Sequence, residues 1–281
     1  MRNRLLRTVA LVVVVGATVV TPAASAGGGP NLGVQQGWDG IQSGKVRYVA
    51  VPAGNSTVVE SIRRSDGRVL SFMTLKGSWG IPAVASDGTT AGLMGDGETL
   101  LLGEAAFGQY LRKHSTFAFV DMKRMRVVKR LRVPGHQVFD ALSPDDRYLY
   151  FVQYVSQQDF TRYRVRAYDL HAGRLLPGAV IDKREWESTM QGTAISRAGT
   201  RTGWVYTLYG GGHESFIHAL DTRNVTAICI DLPWKEIPKR LFEFRLRLDG
   251  DGRLVVRGPR GRALAVVNRN THRILSSVSN P

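Results

Sequence analysis

The sequence predicts an all-β fold, a β-propeller of four-stranded blades, on three observations. The first is a repeat. Leu93-Met94-Gly95-Asp96-Gly97-Glu98, Leu142-Ser143-Pro144-Asp145-Asp146-Arg147, Ile195-Ser196-Arg197-Ala198-Gly199-Thr200 and Leu248-Asp249-Gly250-Asp251-Gly252-Arg253 share one pattern. Each is an apolar residue, a small polar turn, then a run suited to a strand. Counted from Met94, Ser143, Ser196 and Asp249, the steps are 49, 53 and 53 residues. Ile41-Gln42-Ser43-Gly44-Lys45 is a fainter copy, with Gln42 lying 52 residues before Met94. The second observation is an independent marker in step with the first. Asp121, Asp169, Asp221 and Asn268 each close an apolar run, at spacings of 48, 52 and 47. The third is composition: Tyr, Phe, Val and Leu alternate through the runs, and helix signals are scarce. A period near fifty with several strands per unit marks a propeller.

The units can be written out in order. In one, Val138 to Leu142 is the inner strand, Ser143 to Asp146 the turn, Arg147 to Val152 the second strand, Tyr163 to Tyr168 the third and Leu175 to Ile181 the outer fourth. In the next, Gly192 to Ile195 is followed by Gly203 to Tyr209, Phe216 to Leu220 and Val225 to Ile230. Asp and Asn suit the strand ends because their short side chains bond nearby backbone amides and cap tight turns. Phe107 to His114 is the one stretch that suits a helical turn. Five units give five blades, with six as the alternative if the first hundred residues hide a short extra one. The last unit has room for three strands, and the stretch Val34 to Ile41 is expected to supply its fourth and close the ring, removing open sheet edges.

The chain opens Met1-Arg2-Asn3-Arg4-Leu5-Leu6-Arg7, runs apolar from Val9 to Val20 and reaches Ala24-Ser25-Ala26. A basic start, a short apolar middle and a small-residue exit make a secretory signal peptide over residues 1–26, with residues 27–281 as one propeller domain. The apolar run of 12 residues is short for a hydrocarbon core of about 30 Å, so no transmembrane segment is expected once the leader is removed. The expected location is secreted, extracellular or associated with the cell envelope.

Net charge is +15 from 38 basic and 23 acidic residues; losing Arg2, Arg4 and Arg7 with the leader leaves +12. A basic protein attracts polyanions and anionic surfaces. The densest basic run, Lys123 to Arg132, has no interleaved aromatic residues, so nucleic acid is not an expected partner. The single cysteine, Cys229, cannot form an internal disulfide and is expected to be a small buried core residue.

Local catalytic signatures are absent: no Gly-x-Ser-x-Gly, no His-Glu-x-x-His, no phosphate-binding Gly loop with Lys-Ser/Thr and no cysteine pair for a metal. Asp249-Gly250-Asp251-Gly252 echoes a calcium loop but lacks the third acidic position and the distant Glu, so it reads as a turn. Tyr209-Gly210-Gly211-Gly212-His213-Glu214-Ser215 reads as a hairpin loop. The connections that lead into each new inner strand carry Trp79, His136, Gln137, Glu185, Trp186, Trp234 and Glu236. Converging on an axis, these would make a pocket mouth with aromatic walls and mixed polarity, the expected ligand-binding site. No metal and no cofactor are expected.

Ala141-Leu142-Ser143-Pro144-Asp145-Asp146-Arg147-Tyr148-Leu149-Tyr150, followed by a strand ending Tyr168-Asp169-Leu170, resembles the YVTN-type and lactonase-like bacterial propellers, a WD40-like architecture. Tyr206-Thr207-Leu208-Tyr209, His218-Ala219-Leu220-Asp221-Thr222 and Cys229-Ile230-Asp231-Leu232-Pro233-Trp234 are similar to secreted bacterial propellers without an assigned activity. The resemblance covers roughly Trp79 to Leu275 and implies a fold more than a function.

Three functions fit these residues. The leading one is a non-catalytic binding or scaffold module at the cell envelope, expected to be a monomer, with a protein or an anionic cell-wall polymer as its partner; a rigid scaffold presenting variable loops suits that task. The alternative is a lactonase-like hydrolase or lyase at the channel mouth, drawing on groups from different blades such as Asp39, His136, Glu185 and Glu236. The third is adhesion to polyanions by charge alone. One architecture hosts many functions, so the fold decides none of them.

Overall fold

A computed structural model describes residues 33–105, 111–159, 162–184, 192–200, 202–211, 215–234, 238–279 and 281. β1 (Gly33–Gln35) precedes a first sheet of β2 (Gly37–Ser43), β3 (Val46–Ala53), β4 (Ser56–Arg63) and β5 (Val69–Lys76). The second holds β6 (Trp79–Ala83), β7 (Thr99–Glu104), β8 (His114–Asp121) and β9 (Arg126–Pro134). The third holds β10 (His136–Leu142), β11 (Tyr148–Tyr154), β12 (Tyr163–Asp169) and a split outer strand, β13 (Arg174–Leu175) with β14 (Ile181–Lys183). The fourth is β15 (Gly192–Gly199), β16 (Trp204–Gly211), β17 (Phe216–Asp221) and β18 (Thr226–Asp231). The fifth is β19 (Arg245–Leu248), β20 (Arg253–Arg257), β21 (Ala263–Asn268) and β22 (Ile274–Ser277). Each is an antiparallel meander in chain order.

Sheets stack face to face, and the alternation of each strand divides its side chains between two neighbours. In β7, Leu100 and Leu102 join Tyr48, Val59 and Trp79 between the first and second sheets, while Leu101 joins Phe117, Phe139 and Phe151 between the second and third. In β11, Leu149 and Phe151 face the second sheet, and Tyr150 and Val152 pack with Tyr163, Val165 and Leu220 toward the fourth. Tyr206, Leu208 and Ile217 pack on Leu246, Leu254 and Val256 of the fifth. Covered on both faces, these strands read as unbroken apolar runs. Each fully buried Leu or Phe contributes roughly 1.5–3 kcal/mol.

The repeated turn markers behave as their chemistry requires. The Oδ1 atoms of Asp121, Asp169, Asp221 and Asn268 accept the amides two and three residues ahead, at 2.8–3.1 Å. Four residues past each marker, Met125, Gly173, Val225 and His272 take positive φ of 49°, 67°, 57° and 56°.

Several expectations are corrected. The N-terminal stretch does not complete the last unit: β1 pairs with β6, β2 with β3, and the fifth sheet supplies its own fourth strand, β22. Glycines make room for β1. A Cβ on Gly80 would lie 2.8 Å from the Val34 Cβ, and one on Gly103 would lie 2.8 Å from Val34 Cγ1. The outer strand expected over Leu175 to Ile181 breaks, because Pro177 has no amide to give the ladder. Cys229 is exposed rather than buried. It lies on β18, an outer strand in which Ile230 is the one buried residue. Of Phe107 to His114, residues 107–110 lie outside the described residues, and His114 opens β8. Residues 212–214 of the Gly loop also lie outside them.

Candidate functional site

The inner strands β10 and β15 each carry a bulge, between Phe139 and Ala141 and between Ala194 and Ser196. A bulge re-aims side chains where a regular ladder would not. Asp140 is the extra residue of the first, and Arg197 follows the second. Arg197 Nη2 donates to Asp140 Oδ1 at 2.6 Å, and its Nη1 donates to the Asp140 carbonyl. Their side chains are 7% and 5% exposed. Beyond this pair, the connection between β6 and β7 reaches the fourth sheet. The Ser86 and Asp87 amides donate to the carbonyls of Ala194 and Ile195 at 2.8 and 3.1 Å. Ser196 Oγ donates to Asp87 Oδ2 at 2.6 Å and accepts the Leu246 amide at 3.0 Å. Arg245 Nε stands 4.0 Å from Asp87 Oδ2. Two carboxylates and two guanidiniums thus tie the second, third, fourth and fifth sheets into one charge-balanced centre. Burial pushes the Tyr209 hydroxyl pKa up, with the Asp140 charge adding to it, so the phenol stays protonated beside this centre.

Next to it lies a cavity of about 350 Å³ into which the first four sheets contribute, with Thr90, Asp140, Asp146 and Arg197 among its walls. Burial raises the Asp146 pKa. A raised carboxyl in a cleft suits acid chemistry, but both Asp146 oxygens accept the Gly95 amide, at 2.9 and 3.0 Å, and so join two of the repeated turns. Ser43 Oγ joins the preceding pair by donating to the Gly97 carbonyl at 2.8 Å. Among the described residues no group of three or more His, Cys, Asp or Glu side chains is placed to hold a metal ion.

Of the residues expected at the pocket mouth, Trp79, His136, Gln137 and Trp234 lie among the described residues. Trp79 and Gln137 begin inner strands and serve as joints between sheets: the Trp79 amide donates to Thr57 Oγ1 at 2.9 Å and the Gln137 amide to Ser115 Oγ at 2.8 Å. The Trp79 indole donates to the Lys76 carbonyl and lies beneath the Arg130 guanidinium. His136 is nearly buried, edge-on to Tyr154, with Nδ1 facing the Arg112 amide at 3.3 Å. Trp234 packs edge-on to Phe244 in the core between the fourth and fifth sheets. Trp79 and Trp234 therefore sit in separate cores. Asp39 is exposed on β2, and Glu185, Trp186 and Glu236 lie outside the described residues. Sequence reasoning missed Asp87, Asp140, Ser196 and Arg197 as a centre. The available signal was Asp140 and Arg197 breaking apolar inner strands.

Consecutive four-stranded meanders packed face to face define a β-propeller protein. Comparison with solved structures finds a likeness of fold at low sequence identity. The chain is similar to dihydro-heme d1 dehydrogenase NirN, at 11% identity and a TM-score of 0.50, over 87% of this chain and 46% of that one. It also aligns with the Dos1 propeller (10% identity, TM-score 0.45, 84% of this chain and 56% of that one) and with TolB from Acinetobacter baumannii (11%, 0.41, 84% and 53%). The chain thus spans about half the length of each. No family model matches, and no curated protein matches. Among the described residues no helix is long and apolar enough to cross a membrane.

Proposed function

We propose that the protein is an exported, non-catalytic binding module, with an anionic cell-wall polymer or an acidic protein as its ligand. The observation that supports this reading most is the division of charge. The inner carboxylates Asp87 and Asp140 are engaged by Ser196, Arg245 and Arg197, so this buried centre offers a rigid frame rather than unengaged acids and bases. The surplus arginines lie outside, as on β9, where Arg126, Lys129, Arg130 and Arg132 are exposed. The leader expected over residues 1–26 supports a location outside the cell, with a retained N-terminal anchor as the alternative. Retention of the purified protein on isolated cell wall across a salt series tests the proposal. Saturable binding that survives 0.15 M salt is expected, beyond the screening length of about 8 Å there. Retention on wall and on a plain anionic resin that collapses together would reduce the reading to charge alone. Turnover of a lactone panel that Asp140→Asn abolishes would replace it with the hydrolase.

A further inference from the structure

The fifth sheet has one apolar face, and its other face carries three arginines around the buried Val255. Leu246, Leu254 and Val256 pack on the fourth sheet. On the other face Arg245 stands directly opposite Arg257 in the β19–β20 ladder, and Arg247 lies two residues further along. Residues so placed are about 4.5–5.5 Å apart across the ladder and about 7 Å apart along it. Like charges directly opposed destabilise a sheet. Apolar clusters join each of the first four sheets to the next, and among the described residues no such cluster joins the fifth sheet to the first.

The three guanidiniums and Arg260 line a groove of about 440 Å³, with Glu243 at its rim. Backbone carbonyls fix the arginines in place. Arg245 Nη1 donates to the Phe242 and Phe244 carbonyls at 2.9 and 2.8 Å, and Arg257 Nη1 to Gly261 at 3.0 Å. The neighbouring carboxylates are already engaged: Glu243 by a two-pronged bond from Arg240 at 2.6 and 2.5 Å, Asp87 by Ser196. Arg247, Arg257 and Arg260 make no ion pair among the described residues. Arg247, Arg257 and Arg260 thus converge without a matching carboxylate, beside Arg245, which shares Asp87 with Ser196; such a cluster forms a receptor for an oxyanion, because the guanidinium fork matches phosphate geometry.

We propose that this groove binds a phosphate-bearing ligand with two or more negative charges, of the phosphate-monoester or pyrophosphate type. The proposal rests on the anion-binding reading above and names a discrete site for it. Titration calorimetry with inorganic pyrophosphate, at ionic strength held constant with chloride, tests it. One saturable site is expected in the wild type, with affinity falling from pyrophosphate to phosphate to sulfate. Arg247→Gln/Arg257→Gln is expected to weaken it at least tenfold. Arg64→Gln/Arg68→Gln, which removes the same charge from the exposed connection between β4 and β5, is expected to leave it within twofold. If the double groove variant does not fold, Arg247→Glu at an exposed position is expected to weaken binding at least tenfold by itself. Equal losses in groove and control variants, or no saturable heat, would overturn the site. Wall polymer retained by a groove variant that has lost pyrophosphate upholds the groove and assigns the polymer to other surface. Polymer retained by a wild type that ignores pyrophosphate overturns the groove alone.

Discussion

Replacing Arg197 by Met tests whether the buried charge centre holds the sheets together. Asp140 is an extra residue in β10, and its carboxylate and carbonyl both turn to Arg197. Met fills most of the Arg volume but leaves a carboxylate that is 5% exposed without its cation. Breaking a buried pair from one side costs about 3–5 kcal/mol. For a chain of this size each kcal/mol lowers the melting temperature by about 2–4 °C, so a loss of roughly 6–20 °C is expected. Asp140→Leu/Arg197→Met removes both charges, and buried pairs replaced by apolar groups are often neutral. One cost remains, the carbonyl at the bulge, which is worth about 1–3 kcal/mol if left unpaired. The double variant should therefore melt above the single one and below the wild type. Calorimetric melts of the three proteins decide it. A single variant within about 1 kcal/mol of wild type, or a double variant no better than the single, would refute the reasoning.

Gly103→Ala should cost about 1–3 kcal/mol, because its Cβ would meet Val34 Cγ1 at 2.8 Å; Val34→Ala should recover most of it in denaturant melts. Gly173→Val should cost about 1–2 kcal/mol at its φ of 67°, a strain that Val225 already bears in the equivalent turn of the fourth sheet. Burial against Trp204 and Tyr206 lowers the His272 pKa below 6.5. Its contribution to stability is therefore full above pH 6.5 and lost as pH falls through the folded value; melts from pH 8 to 5 should show a decline that His272→Asn removes. Below about pH 4 a second decline is expected. The Asp121 carboxyl is held down by Arg124, and the Asp169 and Asp249 carboxyls by the amides of Ala172 and Arg253. Cys229 is exposed, so one thiol per chain should react with Ellman's reagent without denaturant.

Much of the fold was legible because its causes are local. Turn residues capped by Asp or Asn act within three residues, and both markers recur wherever a strand must end. Strand order followed, since each unit pairs with itself in a meander. What escaped depends on distant groups. β1 lies on β6 because Gly80 and Gly103, 46 and 69 residues past Val34, leave a space for it. Trp79 and Trp234 could be seen at inner-strand entrances, but whether they face a channel or a core depends on the neighbouring sheet. Cys229 sits in an apolar run, yet an outer strand has no next strand to cover it.

By itself the sequence determined the period, the antiparallel units and the caps that end them, because hydrogen bonds and alternation reach only a few residues. Tertiary structure decided where charge is buried and where it is left open. Asp140 meets Arg197, and Asp87 meets Arg245, only when the bulged strands β10 and β15, the β6–β7 connection and β19 come together. Arg245, Arg247 and Arg257 become a groove only when β19 and β20 pair and set them side by side. Electrostatic energy depends on separation in space and on the surrounding medium, and neither is written along the chain.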